Sequence, residues 1–399
     1  MQLVNGSNIQ ENQLKDLTLT PVTETPVDPA TPDADDPAIY IDADNPQESF
    51  VVTSFNDGGL KVYDLAGEEI QAITPENVFY SNVDIAYDVP FTGFVVPGTT
   101  VDLAITSDRA NDSIAVFTID PQTQQLTELA PGFEFPESIF GVDDGEATAS
   151  GLATYNSLVD DLTYVFVSGG EGNQIAQLAI NPTTGAADEP IVNATIVRML
   201  DVPVPEGEDV ADYQVEAMVV DRETGDLYVA QEEVGIWKYA AEPDNSNEPT
   251  LIETVARGNL EADISGLTIY YGEDGNGYLV ASSSGDDTFA VYERGGNNSY
   301  LGNFAIEGVE GSEGIDITNV SLGDDFDNGL LVVQDIGNFK YISIPEIPLY
   351  EPSSFDPRNR ENRINDLDNN STHSADYLND SNYSGTRIDL HTTTFNDFG

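Results

Sequence analysis

The chain has no cysteine and only 2 histidines in 399 residues. Without cysteine it can form no disulfide, no thiol nucleophile and no thiolate metal site. Both histidines, His373 and His391, lie close to the C-terminus. A Ser-His-Asp triad or a histidine-ligated zinc is therefore excluded from the rest of the chain. A metal-activated water is the economical nucleophile that remains if the protein is a hydrolase.

Positive charge is also scarce, with 13 Lys and Arg against 72 Asp and Glu, which gives a formal net charge of -59. Such a surface repels nucleic acid and anionic lipid, so we expect neither nucleic acid nor a membrane as a partner. Adaptation to a salty medium accounts for most of the acidic residues. No apolar run reaches the length of a membrane span, and residues 1–10 lack the pattern of a classical signal peptide.

Composition divides the chain into three parts. Residues 1–31 end in a Pro- and Thr-rich stretch and predict an extended arm. Residues 351–399 are rich in Asn, Asp and Ser and predict a polar tail, either disordered or an interaction segment. Between them, residues 32–350 alternate short runs of Val, Ile, Tyr, Phe and Thr with clusters of Gly, Asp, Asn and Pro. This alternation is typical of strands and turns, and no segment keeps a helical period long enough for a core helix.

An internal repeat predicts the fold class. The copies begin at Pro37, Val83, Ser150, Glu216, Ser265 and Glu313. A period of roughly 50 residues with three or four strands in each unit is typical of a β-propeller, so we predict an all-β, six-bladed β-propeller. One unit alone would expose a hydrophobic sheet on both faces, and it becomes stable only between neighbours in a closed ring.

Acidic residues recur near the start of these repeats, where the innermost strands of a propeller converge on a central channel. They are Asp35, Asp36, Asp84, Glu216, Asp263, Glu313 and Asp316, with the amide of Asn82 among them. Crowded carboxylates repel one another unless a cation neutralises them or their pKa values rise. Carboxylate and amide oxygens suit Ca²⁺, which is the predicted cofactor. The alternative, a solvated rim of acids that binds no metal, stays open.

Several stretches resemble the β-propeller phytases, which are calcium-dependent phosphohydrolases of inositol hexakisphosphate. The resemblance covers about residues 33–345, and it is carried by residues 33–40, 82–88, 236–239, 241–243, 266–271, 277–283, 291–294 and 314–316. It implies a six-bladed propeller with calcium in the channel, where the metal bridges a substrate phosphate and an attacking water. The implied substrate is an inositol phosphate.

The resemblance also implies roles for individual residues. Arg109 would contact a substrate phosphate, and Glu216, Glu232 and Asp263 would serve catalysis through the calcium and water that they hold. The implied metal or water ligands are Asp35, Asp36, Asn82, Asp84, Glu216, Glu232, Asp263, Asp316 and, in place of a family aspartate, Glu313.

The chain departs from the family pattern mainly by losing cationic residues. Phe55-Asn56-Asp57 and Gly170 stand where the family has lysines, Ser150 replaces a tyrosine, Ser265 a calcium-binding glutamate and Ser284 a glutamine. A highly anionic substrate would therefore depend on calcium and Arg109.

Two functional hypotheses follow. The first is a calcium-dependent, phytase-like phosphohydrolase with weakened or altered activity. The second is a non-catalytic, calcium-stabilised propeller that acts as a surface or assembly module and self-associates through its terminal segments. We expect an extracellular or cell-surface location for either one.

Overall fold

A computed structural model describes residues 14, 17–27, 33–56, 58–92, 100–142, 148–186 and 189–344. The predicted tail, residues 351–399, lies outside these described residues. Within them, strands are joined by turns and by short 3-10 helices, without any α-helix. No helix in this part of the chain has the length and apolar character of a membrane span. The 3-10 helices are Pro46–Glu48, Arg109–Asn111, Val210–Asp212, Val255–Arg257, Glu273–Gly275, Ser284–Asp286 and Asp324–Phe326.

The described strands form six sheets of four or five strands each, arranged as the blades of a propeller. The arm contains β1 (Thr18–Leu19) and β2 (Thr23–Glu24). Blade 1 consists of β3 (Ala34–Tyr40), β4 (Phe50–Phe55), β5 (Gly59–Asp64) and β6 (Glu69–Ile73). Blade 2 consists of β7 (Tyr80–Pro90), β8 (Thr100–Asp108), β9 (Ser113–Asp120) and β10 (Gln125–Glu128). Blade 3 consists of β11 (Ala130–Pro131), β12 (Ala149–Asn156), β13 (Thr163–Gly169), β14 (Gln174–Thr184) and β15 (Pro190–Asp201).

The second half of the chain continues the pattern. Blade 4 consists of β16 (Val215–Asp221), β17 (Asp226–Gln231), β18 (Gly235–Ala240) and β19 (Thr250–Thr254). Blade 5 contains β20 (Leu267–Tyr271), β21 (Gly277–Ser283), β22 (Thr288–Glu293) and β23 (Tyr300–Ile306). Blade 6 contains β24 (Ile315–Thr318), β25 (Leu330–Asp335) and β26 (Asn338–Ser343). The prediction of an all-β, six-bladed propeller is confirmed.

The arm supplies the outermost strands of the last two blades. Strand β2 pairs antiparallel with β26, with Thr23 opposite Tyr341, and so becomes the fourth strand of blade 6. Strand β1 pairs parallel with β23, with Thr18 opposite Ala305. A segment that precedes the first blade therefore completes the last one, which closes the ring and covers edges that would otherwise remain unpaired.

The hydrophobic core consists of six clusters, one between each pair of neighbouring blades. Between blades 1 and 2, for example, Tyr40 stacks on Phe50 with ring centroids 4.7 Å apart and on Tyr87 at 5.6 Å. Each sheet is thus buried on both faces. This is the packing that a repeat with two hydrophobic faces requires.

Glycines near the start of three innermost strands allow neighbouring blades to approach closely. A Cβ on Gly151 would overlap the carbonyl oxygen of Glu216, and one on Gly266 would overlap that of Glu313. Gly314 has the same relation to the carbonyl oxygen of Asp35. The glycine that recurs in the repeat therefore sets how closely the acidic segments of adjacent blades approach at the channel.

We expect Gly266→Ala to lower the free energy of unfolding by about 1–3 kcal/mol, because the added methyl group must displace a backbone carbonyl of the next blade. Gly295→Ala is the matched control in the same blade, since the nearest atom to its added Cβ would be 3.9 Å away. Urea denaturation of both variants measures the difference. Equal midpoints would mean that the inter-blade distance tolerates a methyl group.

Candidate functional site

The innermost strands of the blades run in the same direction around the channel. The Asn82 Oδ1 accepts a hydrogen bond from the backbone N–H of Leu152 (3.2 Å), and two residues later Asp84 Oδ2 accepts one from that of Thr154 (2.7 Å). Both numbers rise together, so β7 and β12 are parallel neighbours. The strands therefore begin at one common end of the channel, which we call the mouth.

β-Bulges interrupt the ladder between the two innermost strands at the mouth in four blades. Register shifts occur between Ala34 and Pro37, where Asp35 and Asp36 lie, and between Val215 and Ala217, on either side of Glu216. A bulge adds a residue to one strand and redirects its side chain. These bulges break the regular alternation of side chains along the strands and so allow acidic side chains to face the mouth.

Five acidic side chains, two of them from blade 4, influence one another at the mouth. We call Asp35, Glu216, Glu232, Asp263 and Glu313 the mouth acids. Asp35 is buried, and its Oδ2 accepts a hydrogen bond from Ser81 Oγ at 2.9 Å. Asp263 lies just before β20 with a left-handed φ of 66°, and its carbonyl oxygen accepts a hydrogen bond from Ser284 N at 3.0 Å. Asp35, Glu216, Asp263 and Glu313 were predicted as calcium ligands from separate repeats, and the family resemblance implied Glu232 as well.

Four of the mouth acids, Asp35, Glu216, Glu232 and Glu313, resist ionisation. Burial, reinforced by the charges of Asp35 and Glu216, raises the pKa of Glu313 to about 8. Burial also raises the pKa of Asp35 to about 7 despite the hydrogen bond from Ser81. The carboxyl groups of Glu216 and Glu232 are hydrogen-bonded to each other, and burial is the main cause that raises the pKa of both. A bound cation would remove the cost of ionising such a cluster.

Arg109 places a positive charge beside these acids. It begins the 3-10 helix after β8, and its guanidinium lies 5.1 Å from the ring centroid of Phe79. Its charge lowers the pKa of Asp35 and of Glu216 against the effect of burial. The Arg109 Nε is buried and makes no hydrogen bond within the described residues. An unpaired charged donor at the mouth is suited to an anionic group of a substrate.

The other predicted ligands lie deeper in the channel and hold neighbouring blades together. Beyond the bonds of Asn82 and Asp84, Asp36 Oδ2 accepts a hydrogen bond from Val83 N at 3.0 Å, and Asp316 Oδ2 accepts one from Ile39 N at 2.8 Å. We call Asp36, Asn82, Asp84 and Asp316 the channel residues. Their oxygens satisfy backbone N–H groups on the inner edges of adjacent blades.

The channel residues surround a cavity of about 100 Å³, and an arginine that sequence reasoning missed lines it as well. Arg222 follows the last residue of β16 and donates from Nη2 to the carbonyl oxygen of Ile85 at 2.9 Å. The same nitrogen lies 3.3 Å from Asp84 Oδ1. Its signal in the sequence was a rare basic residue directly after an innermost strand.

The mouth suits calcium in chemistry, although it is not preassembled. Among the described residues, no three acidic or histidine side chains are close enough together to hold a metal ion. The mouth acids nevertheless supply only oxygen donors, and burial opposes the ionisation of Glu216, Glu232 and Glu313. Oxygen donors of this kind fit calcium, whose coordination is flexible and requires several oxygens.

Positions where cationic or ligand residues were expected are neutral in this chain. Asn56 Oδ1 is buried without a hydrogen-bond partner among the described residues, and its backbone N–H donates to the carbonyl oxygen of Asp33 at 3.0 Å. Ser265 is buried, and Ser284 Oγ donates to the carbonyl oxygen of Ser312 at 2.5 Å. The mouth therefore keeps most of the acids that the resemblance implies, but it has neutral groups where the resemblance implies positive charge.

Comparison with known proteins identifies the family. The family model described as Phytase matches residues 2–343. The 3-phytase of Bacillus subtilis (strain 168) is 33% identical over 327 residues, which cover 79% of this chain and 78% of that protein. The chain belongs to the phytase family. The resemblance found in the sequence is thus confirmed. Membership of this family makes the protein a phytase-like phosphohydrolase.

Solved structures similar to this phytase-family chain include more distant propellers. The Cps50 (Swd1) β-propeller domain of Myceliophteria thermophila is 10% identical with a TM-score of 0.43, over 77% of this chain and 82% of that one. A chain from the crystal structure of BBS1N in complex with ARL6DN, soaked with lead, is 11% identical with a TM-score of 0.43, over 78% of each chain.

Proposed function

We propose that this phytase-family chain is a calcium-dependent phosphohydrolase that releases phosphate from inositol phosphates at the mouth. The observation that carries the proposal is the cluster of mouth acids around one arginine with an unpaired donor. The similarity of the chain to a 3-phytase supports an inositol phosphate as the substrate. Converging carboxyl groups that resist ionisation are typical of sites that neutralise themselves by binding a cation.

Each residue at the mouth has a distinct role in this proposal. Glu216, Glu232 and Glu313, with Asp35 and Asp263, would hold calcium. Calcium supplies Lewis-acid polarisation of a phosphoryl oxygen and lowers the pKa of bound water. Glu216 and Glu232, whose carboxyl groups are hydrogen-bonded to each other, would both have to be deprotonated to hold the metal, since the ligand form of a carboxyl group is deprotonated. Ser81 keeps Asp35 oriented toward the mouth.

Arg109 would bind the substrate through its free donor. Its guanidinium is held against Phe79, and its buried Nε has no hydrogen-bond partner among the described residues that a substrate would have to displace. With neutral groups where the sequence comparison predicts lysines, the site has little charge to hold additional phosphates. We therefore propose an altered preference, with weakened use of inositol hexakisphosphate relative to less phosphorylated substrates.

Phosphate release from inositol hexakisphosphate, measured in calcium and in EGTA, tests the proposal. We expect release in calcium and none in EGTA. Lower inositol phosphates should be used at least as well as the hexakisphosphate. If no substrate releases phosphate at any calcium concentration while calcium still raises the melting temperature, the non-catalytic, calcium-stabilised module becomes the better account.

Calcium should stabilise the fold through the mouth acids. At a free calcium concentration 100 times the dissociation constant, one site contributes about 2.7 kcal/mol of stability. We expect the calcium-induced rise in melting temperature to be smaller in Glu313→Gln, because one buried oxygen donor loses its charge. Glu310→Gln is the matched control, since Glu310 is exposed just before the same strand. Equal rises in the two variants would contradict a metal site that uses Glu313.

A further inference from the structure

Arg222 enters the channel from the end opposite the mouth. It lies six residues after Glu216, and in extended backbone this spacing is about 20 Å. Its Nη2 lies 2.9 Å from the carbonyl oxygen of Ile85, 3.3 Å from Asp84 Oδ1 and 3.4 Å from Thr154 Oγ1. A side chain of blade 4 thus reaches across the channel to blades 2 and 3.

The surrounding residues fix the position of this arginine. Its guanidinium lies 5.9 Å from the ring centroid of Tyr87, and its backbone N–H donates to the hydroxyl of Tyr271 at 3.1 Å. Only 18% of its side chain is exposed. Burial lowers the pKa of Arg222, but the combined attraction of Asp84, two tyrosines and Asp316 outweighs that effect, so the pKa is raised and the guanidinium stays charged.

Asp84 has hydrogen-bond donors for both of its oxygens. Its Oδ2 accepts from the backbone N–H and the hydroxyl of Thr154, at 2.7 and 2.8 Å. Its Oδ1 accepts from Ile85 N at 2.7 Å and faces Arg222. A carboxylate has about four acceptor positions, and those of Asp84 are largely used within the protein.

Asp316, whose charge also attracts Arg222, has a similar set of internal partners. Its Oδ2 accepts from Ile39 N at 2.8 Å, and its Oδ1 accepts from Thr268 Oγ1 at 3.0 Å and from Ile317 N at 2.8 Å. Calcium requires six to eight oxygen ligands. Bringing it here would break hydrogen bonds that join neighbouring blades, and it would also place the ion beside a fixed positive charge.

We propose that Arg222 is the built-in counter-ion of Asp84 and Asp316 and that it excludes divalent cations from the middle of the channel. This one positive charge offsets part of the negative charge of the deep carboxylates, and metal binding is confined to the mouth. The channel residues Asp84 and Asp316 then act as links between blades, in contrast to the ligand role implied by the family resemblance. The inference rests on the proposed function only in taking calcium as the competing ion.

Arg222→Met tests the proposal, because methionine retains much of the side-chain volume and removes the charge. In EGTA we expect the melting temperature of Arg222→Met to fall by several degrees relative to the wild type. In calcium we expect part of this loss to be recovered, and calorimetric titration should give one more calcium ion per chain than in the wild type. Arg222→Lys keeps a positive charge and should keep the wild-type stoichiometry.

Either of two results would overturn the proposal: an unchanged calcium stoichiometry in Arg222→Met, or a melting temperature in EGTA equal to that of the wild type. If Arg222→Met does not fold without calcium, Asp84→Asn/Arg222→Met removes both charges together. That double variant should fold in EGTA and bind the wild-type number of ions, and its failure to fold would also count against the proposal. Phosphate release in the wild type tests the mouth separately, so failure of one proposal is distinguishable from failure of the other.

Discussion

Glu216→Gln is expected to lower the rate of calcium-dependent phosphate release by about 10- to 100-fold. Glutamine has the shape of glutamate but lacks its charge, so the variant keeps the bulge in β16 while removing a carboxylate that we propose binds calcium. Glu216 also shares a hydrogen bond with Glu232 and influences the ionisation of Asp35 and Glu313. One substitution therefore disturbs most of the mouth acids.

The measurement is phosphate release at saturating calcium, with the calcium-induced change in melting temperature recorded on the same samples. Glu248→Gln is the matched control, because Glu248 is exposed in blade 4, away from the mouth. The control should retain wild-type activity. If Glu216→Gln releases phosphate at the wild-type rate in saturating calcium, Glu216 has no part in catalysis and the proposed site is wrong.

The repeat made the fold and the approximate position of the site predictable. Each copy begins with an innermost strand, so residues at its start had to meet at one end of the channel. Glu216 and Glu313 occupy equivalent positions in their copies, and both are mouth acids. The glycine that follows Glu313 has a packing reason as well, since Gly314 lies against the backbone of Asp35.

The division of the acids between mouth and channel could not be predicted. Asp35 and Asp36 are adjacent in sequence, yet Asp35 bonds to Ser81 and Asp36 to the backbone of Val83. The bulge at the start of β3 points the two side chains in different directions, and no residue type in this stretch indicates a bulge. The period of the sequence repeat places such residues at the channel but does not give the direction of each side chain.

The strands of the arm were equally hard to anticipate. Thr23 and Glu24 lie in a polar, Pro-rich stretch that predicts an extended segment, and they are indeed extended where they pair with β26. Pairing depends on the open edge of blade 6, whose strands lie some 300 residues later in the chain. Lys340 contributes by holding Glu24 at 2.8 Å. The sequence of the arm alone does not indicate that its partner strand lies so far away in the chain.

The role of Arg222 also depends on the three-dimensional fold. The sequence alone made every carboxylate near the axis an equal candidate for calcium, because few basic residues were available to compete. The fold brings one of those basic residues to Asp84. The chain has a net charge of -59 and only 13 basic residues. Whether a given carboxylate is available to a metal therefore depends more on where those basic residues lie than on how many acids surround them.

Arg294→Met is expected to lower the free energy of unfolding by about 3–5 kcal/mol, the usual cost of removing one partner from a buried ion pair. The guanidinium of Arg294 bonds both oxygens of Asp221, at 2.6 and 2.7 Å, and pairs with Glu223 as well. Both Arg294 and Asp221 side chains are 1% exposed. Although burial lowers the pKa of Arg294, the attraction of Asp221 and Glu223 raises it overall, so the guanidinium remains charged.

The loss should be large because the pair joins blade 4 to blade 5. Asp221 ends β16, whereas Arg294 follows β22 and lies 4.5 Å from the ring centroid of Tyr271. Urea denaturation of Arg294→Met measures the cost, and Arg257→Met is the control, since that arginine is 55% exposed beside Glu253. Adding Asp221→Asn should restore part of the stability, because it removes the charge left without a partner. If the double variant is less stable than Arg294→Met by the full effect of Asp221→Asn alone, the two residues are not coupled and the ion pair does not stabilise the junction between these blades.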